Sequence, residues 1–600
     1  MNLTPEQRAI GKDNYYEAIG VTRRNFMKEI AAAGAVTGAG LGGMYFQYQK
    51  IGDPLRVGVI GTGDEGQVLI GAVNPDFVQI VAIADIRPYN IHRAFHGDWA
   101  SDVALGARPG LITKYKWSGE DEARKQVKVY DQDYHDLLND KDVEAVIIAL
   151  PLHLHAKVTV EAMRKGKHVL CEKLMAHNIA QCKVMAQVAE EKDLFLAVGH
   201  QRHYSVLYDN AKWLIKQGLL GQIHHIRAQW HRDNLPGGDS WQQPLPGGEM
   251  GWIQKKGEDQ PAHVKIDKIL DRLNEMKKAL EKEKDASRYR QLERRIAQWA
   301  AWDADKAIKP EDHGYQSFQL GGDKRSALEE LCRWRLWERT GGGLMAELGS
   351  HQLDAASIFV SALRGDGEKV HPLTVHAVGG RHIFPLDRHA EDHVYCIFEF
   401  PGQKYDYSFD LGYRDEMTNT PEPGKGVPSY DEDPNKRVVV TYSSIMGNGY
   451  GGYGEIVMGT KGTMILEREQ EVLLFKNSDT SSRVSVKSEK GASVLDTQAS
   501  GGPAAAVAKS ADTGPVSRGY TEEIEHWAWC IRNNAPKKEL HCHPAIALGD
   551  AVIALTSNVA LKRCHQGEAG YVRFEKEWFD VQNPATPDGS SVESERQRMA

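Results

Sequence analysis

Residues 55–66 read LRVGVIGTGDEG, and the glycines at 61, 63 and 66 fall in the spacing G-x-G-x-x-G. Leu55, Val57, Val59 and Ile60 form a short apolar strand before them, and Val68, Leu69, Ile70 and Val73 suit a helix packed back on that strand. The spacing gives each glycine a task. Gly61 permits the tight turn, Gly63 lets the backbone approach a pyrophosphate, and Gly66 lets helix and strand close up. Thr62 and Glu65 lie within the same turn. The helix N-terminus then presents free N–H groups and a positive dipole end to phosphates. A second strand, Val78 to Ala84, leads to Asp85, close to the roughly 20 residues beyond the glycines at which an acid takes a ribose 2′-hydroxyl. The pattern predicts a bound dinucleotide, NAD, with NADP as the alternative because Arg87 is near enough to accept a 2′-phosphate.

These residues need a sheet to hold them. From 55 to about 200 the chain alternates apolar strands with amphipathic helices, which predicts a doubly wound parallel sheet, an α/β Rossmann domain over 51–200. Ala145 to Leu150 is a buried strand followed by Pro151-Leu152-His153-Leu154-His155. His168 to Cys171 and Phe195 to Val198 are further strands. Ligands bind outside the carboxyl ends of such strands, so His153, His155, Glu172, Lys173, His200 and Arg202 all fall on the expected rim.

From about 222 the pattern changes to many strands separated by turns, among them Ile223 to Trp230, His393 to Phe400, Tyr405 to Leu411 and Val438 to Tyr442. That predicts a second, α+β domain over 201–565 built on a large, open, mostly antiparallel sheet. Residues 263–306 are highly charged, with apolar positions at helical spacing, and read as a helical hairpin insertion with a solvated face. Residues 478–518 read as a flexible surface loop and 580–600 as a disordered tail. Helices near Tyr520 to Arg532 and Pro544 to Lys562 are expected to return onto the first domain.

Composition excludes some classes. With 41% hydrophobic and 26% charged residues and a net charge of -8 the chain is an ordinary globular protein, with no support for nucleic-acid binding. Its seven cysteines contain no C-x-x-C pair, and His541-Cys542-His543 reads as a loop before the Pro544 helix, so no metal site is expected. Upstream, Thr22-Arg23-Arg24-Asn25-Phe26-Met27-Lys28 precedes the small-residue run Ile30 to Val36. This resembles a twin-arginine signal, which carries folded proteins across a bacterial inner membrane. Residues 1–50 are therefore expected to lie outside the fold as a signal or tether for the twin-arginine export machinery. The protein would be periplasmic or exported, and membrane-tethered if the signal stays uncleaved. Free nicotinamide nucleotide is scarce there, so a folded export route favours a cofactor carried tightly bound and regenerated in place.

The glycine fingerprint, VLCEK at 169–173, GGGLMAELGSHQLD at 341–354 and GEIVMGTKGTMIL at 454–466 together resemble the Gfo/Idh/MocA oxidoreductases over about 55–565, except for the hairpin insertion and the loop near 500. In that family a Glu-Lys-Pro segment closes the strand beside the nicotinamide, which implies Glu172 and Lys173 at the cofactor, with Leu174 in place of the proline. A cationic nicotinamide and partial burial both disfavour an ammonium, so the lysine can hydrogen-bond a substrate hydroxyl and relay its proton. Glu347 and His351 are four residues apart, on one face of a helix. The resemblance makes His351 the general base and puts Glu347, in place of the usual Asp, beside substrate or histidine. It also places Pro151 and His155 near the cofactor, while Arg202, Tyr204, Trp230, His231 and Arg232 offer polar and aromatic surface to a sugar. The implied activity is hydride transfer from a hydroxyl carbon of a sugar, glycoside or polyol. The alternatives are a redox-neutral NAD-dependent glycosidase, with Tyr204 or His231 as a further base, and a non-catalytic carbohydrate-binding homologue. A homo-oligomer formed through the C-terminal sheet is expected by the same resemblance.

Overall fold

A computed structural model describes residues 3–19, 40–253, 261–365, 369–405, 436–476, 485–489, 492–496 and 518–600. Continuous apolar runs form its first sheet. The strands β1 (Leu55–Ile60), β2 (Val78–Ala84), β3 (Lys128–Tyr130), β4 (Ala145–Ile148), β5 (His168–Glu172) and β6 (Leu196–Gly199) pair in the order β3-β2-β1-β4-β5-β6. Every pairing is parallel. All four side chains of β4 are buried, as a strand covered by helices on both faces requires. The chain leaves β1 in opposite directions toward β2 and β4, so their carboxyl ends open a crevice between them.

The second sheet comprises β7 (Ile223–His231), β8 (Thr374–Gly380), β9 (His393–Pro401), β10 (Arg437–Ile445), β11 (Tyr453–Gly459), β12 (Gly462–Glu467), β13 (Glu471–Lys476) and β14 (Tyr571–Arg573). Their order is β13-β12-β11-β7-β10-β9-β8-β14. The β7–β10 pair is parallel and the others are antiparallel. Alternation in β9 sends Val394, Cys396 and Phe398 inward and leaves Tyr395 and Ile397 on the outer face. The helix Ser350–Arg364 lies on the inner face and is buried along nearly its whole length. The helix Pro544–His565, apolar and long enough to cross a membrane, is instead core, packed against β8 and the helix Ile179–Glu191. The helix Tyr520–Arg532 packs on the first domain. The expected strand at Tyr405 to Leu411 falls almost entirely outside the described residues, as does the signal segment Thr22 to Val36.

Three stretches depart from the sequence expectation. Residues 3–19 and 40–50 belong to the fold. The helix Pro5–Ala18 starts in a capping box at Thr4 and lies against β13, where Arg8 pairs with Glu467 and Glu471, and Lys12 with Glu471. Tyr15 of this helix is buried and accepts from Asn210 at 2.9 Å. Of residues 478–518, Ser485–Glu489 and Ala492–Asp496 pair as an antiparallel ribbon. The tail 580–600 is ordered, ending in the helix Val592–Arg598. Val581, Ala585, Val592 and Met599 pack on the core, and polar groups hold the rest of the segment. The fully buried Lys183 donates to the carbonyls of Glu577, Asn583 and Ala585 at 3.0, 2.7 and 2.8 Å, and Ile179 N–H donates to Asp588.

Replacing Lys183 by Met leaves three buried carbonyls without that donor, which is expected to cost about 2–3 kcal/mol. Urea unfolding should show the loss, and limited proteolysis should release the segment beyond residue 576. An unchanged midpoint with a protease-resistant tail would contradict this account of how the tail is held.

Candidate active site

The turn after β1 is built as the glycine spacing requires. Gly61 has a φ of 90°, and a Cβ on it would meet the Ala149 carbonyl at 2.3 Å. A Cβ on Gly66 would sit 2.1 Å from the Gly61 carbonyl, so the helix Asp64–Ala72 crosses its own strand at glycine-only distance. Around Gly63 the nearest atom to a Cβ is 3.9 Å away, leaving open space over the turn. Gly63 caps this helix without a side-chain hydrogen bond, so first-turn N–H groups face that space. Asp64 in the first turn would repel a pyrophosphate, but Arg93 holds it at 2.7 Å, and Arg93 and Arg108 keep its carboxyl low, at about 2, against the opposing pull of burial. The turn therefore fits a dinucleotide.

Asp85 stands at the end of β2. Its carboxylate accepts from Thr62 N–H at 2.8 Å and from Thr62 Oγ1, Asn90 Nδ2 and Arg87 N–H. The glycine turn is thereby tied to the position where a ribose is expected. Arg87 turns to Asp305 of the insertion, with Nε donating at 2.8 Å.

A cavity of about 630 Å³ runs from Gly61 and Gly63 past Asp85, Pro151 and His155 to Glu172, Lys173 and Glu347. Its far wall comes from the second domain, from Asp312 to Tyr315 and from Trp334 and Arg335. Lys173 follows β5, and its Nζ donates across the cavity to the main-chain carbonyl of Glu347 at 2.8 Å. The peptide bond between Lys173 and Leu174 is cis. His155 lies with Nδ1 2.8 Å from the Leu174 carbonyl and Nε2 2.8 Å from the Leu150 carbonyl, so it joins the loops after β4 and β5. Burial keeps it below the usual histidine range, although both carbonyls favour its charged form.

Glu172 is buried over Gly199, where a Cβ would come within 2.7 Å of its Oε1. Burial, with the charge of Glu65 behind it, pushes the Glu172 carboxyl well above the usual range. Glu347 behaves oppositely. Burial acts to raise it, but Arg335, whose Nε donates to Oε2 at 2.8 Å, and Lys173 bring it below the usual range.

Glu347 sits in a π-helical turn, Met345–Gly349, where Ser350 N–H bonds back to Met345, so the helix is wider there than α-spacing assumes. Glu347 reaches the cavity wall, whereas His351 lies behind it, buried against Trp230 with ring centroids 5.5 Å apart. Its Nδ1 is buried without a hydrogen-bond partner. Burial first, then the charge of Lys173, holds the imidazole well below its usual range.

The expected sugar contacts are mostly elsewhere. Arg202 is buried and committed to Glu469 and Glu455, at 2.8 and 3.1 Å, and to the His351 carbonyl. Its place after β6 put it on the expected rim, but burial of its charge demands carboxylate partners, and those lie in the second sheet. Tyr204 is also buried, its hydroxyl 3.0 Å from His526 Nδ1 and accepting from His541 N–H, and burial keeps that hydroxyl protonated. Neither offers surface to a ligand, and Tyr204 is not placed to act as a base. His231 is 3.0 Å from the Tyr450 carbonyl and 2.9 Å from Ser443 Oγ, away from the cavity. Arg232, stacked on Trp230, lies close enough to Glu347 and Arg335 to feel both charges. Arg335, which the sequence reading missed, carries the strongest interaction with Glu347, and its only signal was a basic residue in the Trp-rich run 334–337.

Residues 55–200 match the GFO_IDH_MocA oxidoreductase family, described as an NAD-binding Rossmann fold. The chain is 33% identical over 117 residues to an uncharacterized oxidoreductase of Schizosaccharomyces pombe, across 19% of this chain and 32% of that protein. It is 36% identical over 123 residues to inositol 2-dehydrogenase of Salmonella typhimurium, across 20% of this chain and 34% of that one. The matches thus span about a third of the length of these curated relatives. Among solved structures, scyllo-inositol dehydrogenase from Lactobacillus casei aligns at 14% identity and a TM-score of 0.44, over 87% of this chain and 99% of that one. The family match thus coincides with the first domain, the six-stranded parallel sheet and its helices.

Two glycine substitutions separate folding from binding. Gly66→Ala forces a 2.1 Å contact and should lower stability by about 1–3 kcal/mol. Gly63→Ala meets open space and should leave the melting temperature unchanged while weakening NAD, as read by differential scanning fluorimetry and calorimetric titration. Equal effects on both readouts would contradict the assignment of the open turn to the pyrophosphate.

Proposed function

We propose that the chain is an NAD-dependent oxidoreductase that oxidises or reduces a hydroxyl-bearing carbon of a sugar or polyol. The observation that carries this reading is the single cavity joining the glycine turn at one end to Lys173 and Glu347 at the other. The turn, Asp85 and the Pro151 loop would hold the dinucleotide, and its nicotinamide supplies the hydride acceptor or donor. Lys173 already presents its Nζ to an oxygen across the cavity, and a substrate hydroxyl takes that place. Glu347, kept ionised by Arg335, fixes a second hydroxyl of the same ligand, which favours polyhydroxylated substrates over simple alcohols. The neutral His351 imidazole, whose Nδ1 has no partner, takes the proton released at Lys173, and the lysine charge that lowers its proton affinity is lost in the same step. Orientation in this partly closed cleft supplies much of the rate. The curated relative named inositol 2-dehydrogenase supports a polyol as the substrate class.

The test is to purify the chain, identify nucleotide released on denaturation by mass spectrometry, and follow absorbance at the reduced nicotinamide band with NAD and a panel of polyols and pyranosides. Nucleotide binding with turnover of at least one polyol is expected, and a chain that binds no nicotinamide nucleotide contradicts the proposal. Lys173→Met should lower kcat by about 10²–10⁴-fold while NAD binding persists. Because His351 is held neutral, kcat/KM should not fall as pH drops through the usual histidine range near 6.5, and its acid limb should lie below that value. A limb at 6.5 that vanishes in His351→Asn would contradict the buried, neutral assignment.

A further inference from the structure

The helical insertion carries a residue that reaches the cofactor corner of the first domain. Its second helix, Ala286–Ala304, docks on the helix Pro88–His96 that follows β2, and its first, Lys268–Leu280, packs on the second. Tyr89 stacks on Trp302 with centroids 4.7 Å apart and rings 14° from parallel. Gln298 bridges Asp98 and the Trp99 N–H at 2.9 and 2.7 Å. These contacts fix the position of Asp305, just past the second helix, which is fully buried. One of its oxygens accepts from Arg87 Nε at 2.8 Å and the other from Tyr89 N–H at 3.0 Å. Arg87 Nη2 is buried without a hydrogen-bond partner, so Asp305 is the carboxylate that holds the guanidinium.

We propose that Asp305 is a specificity-determining residue for the dinucleotide: by holding Arg87 it closes the ribose corner to a 2′-phosphate and reserves that corner for NAD. An arginine two residues past the end-of-strand acid is the group that would pair with a 2′-phosphate. Here the Arg87 side chain is committed to Asp305, and its main-chain N–H to Asp85. A phosphate dianion brought there meets a guanidinium already paired with a carboxylate instead of a free one. An NAD ribose, carrying no charge, needs only an acceptor, which Asp85 supplies. The discrimination thus comes from a segment outside the Rossmann domain. It rests on the reading of the cavity as a dinucleotide site.

The experiment is calorimetric titration of NAD and of NADP into the intact protein and its Asp305→Asn and Arg87→Gln variants. Wild type is expected to bind NAD at least tenfold more tightly than NADP. Asp305→Asn, which removes the charge and keeps the size, should tighten NADP about tenfold and leave NAD within about threefold. Arg87→Gln in the otherwise unchanged chain should leave NADP within about threefold, since a held arginine contributes nothing to it, and should cancel the gain in the double variant. A folded Asp305→Asn with unchanged NADP affinity overturns the proposal, as does a roughly tenfold loss of NADP binding in Arg87→Gln alone. If Asp305→Asn does not fold, the Arg87→Gln titration decides. Wild type that binds neither nucleotide overturns the cofactor reading together with this proposal, whereas wild type that binds NAD and NADP equally overturns this proposal alone.

Discussion

Across the cavity the two domains are joined by a charged hydrogen bond, from the Lys173 ammonium to the Glu347 carbonyl. Lys173 is presented by the end of a parallel strand, and Glu347 by a π-turn on the helix that backs the second sheet. The geometry on either side serves this meeting. His155 joins the loops after β4 and β5, Gly199 leaves room for Glu172, and Arg335 holds the Glu347 carboxylate against the wall. A charge-assisted bond across a cleft persists only where both sides are fixed, which accounts for the number of buried polar groups around it.

Behind that contact the second layer is also polar. His200 lies between Asp354 and Asp550, with ring nitrogens 3.7 and 3.9 Å from their carboxylates. Lys369 pairs with both acids, and His203 Nε2 donates to Asp354 at 2.8 Å. Burial and the neighbouring Asp354 push Asp550 well up. For Asp354 burial acts in the same direction, but His203 and Lys369 outweigh it and hold the carboxyl well down. The cluster locks the helix Ser350–Arg364 to the end of β6, fixing the segment that contains His351.

The local parts of this arrangement were legible in the sequence. The glycine turn, Asp85 and the strands β1, β2, β4 and β5 declare themselves through short-range spacing and continuous apolar runs. What was hidden depends on partners far away in the chain. Arg202 sits at the rim by position, yet it turns to Glu455 and Glu469 in the second sheet. Glu347 and His351 were placed on one face by α-helical spacing, and the π-turn separates them into cavity wall and layer behind. The terminal segment is held by Lys183 through carbonyls, with Val581, Ala585, Val592 and Met599 packing on the core. The insertion read as a solvated hairpin, since its contacts to the first domain are few large residues, Trp302 and Gln298, within a charged run.

The most direct measurement is a crystal structure of the protein grown with NAD. The pyrophosphate should lie over Gly63 and the first turn of its helix, and the nicotinamide should reach the Lys173 end of the cavity, with C4 open to it. A nucleotide bound outside this crevice, or one whose nicotinamide points away from Lys173, would contradict the account.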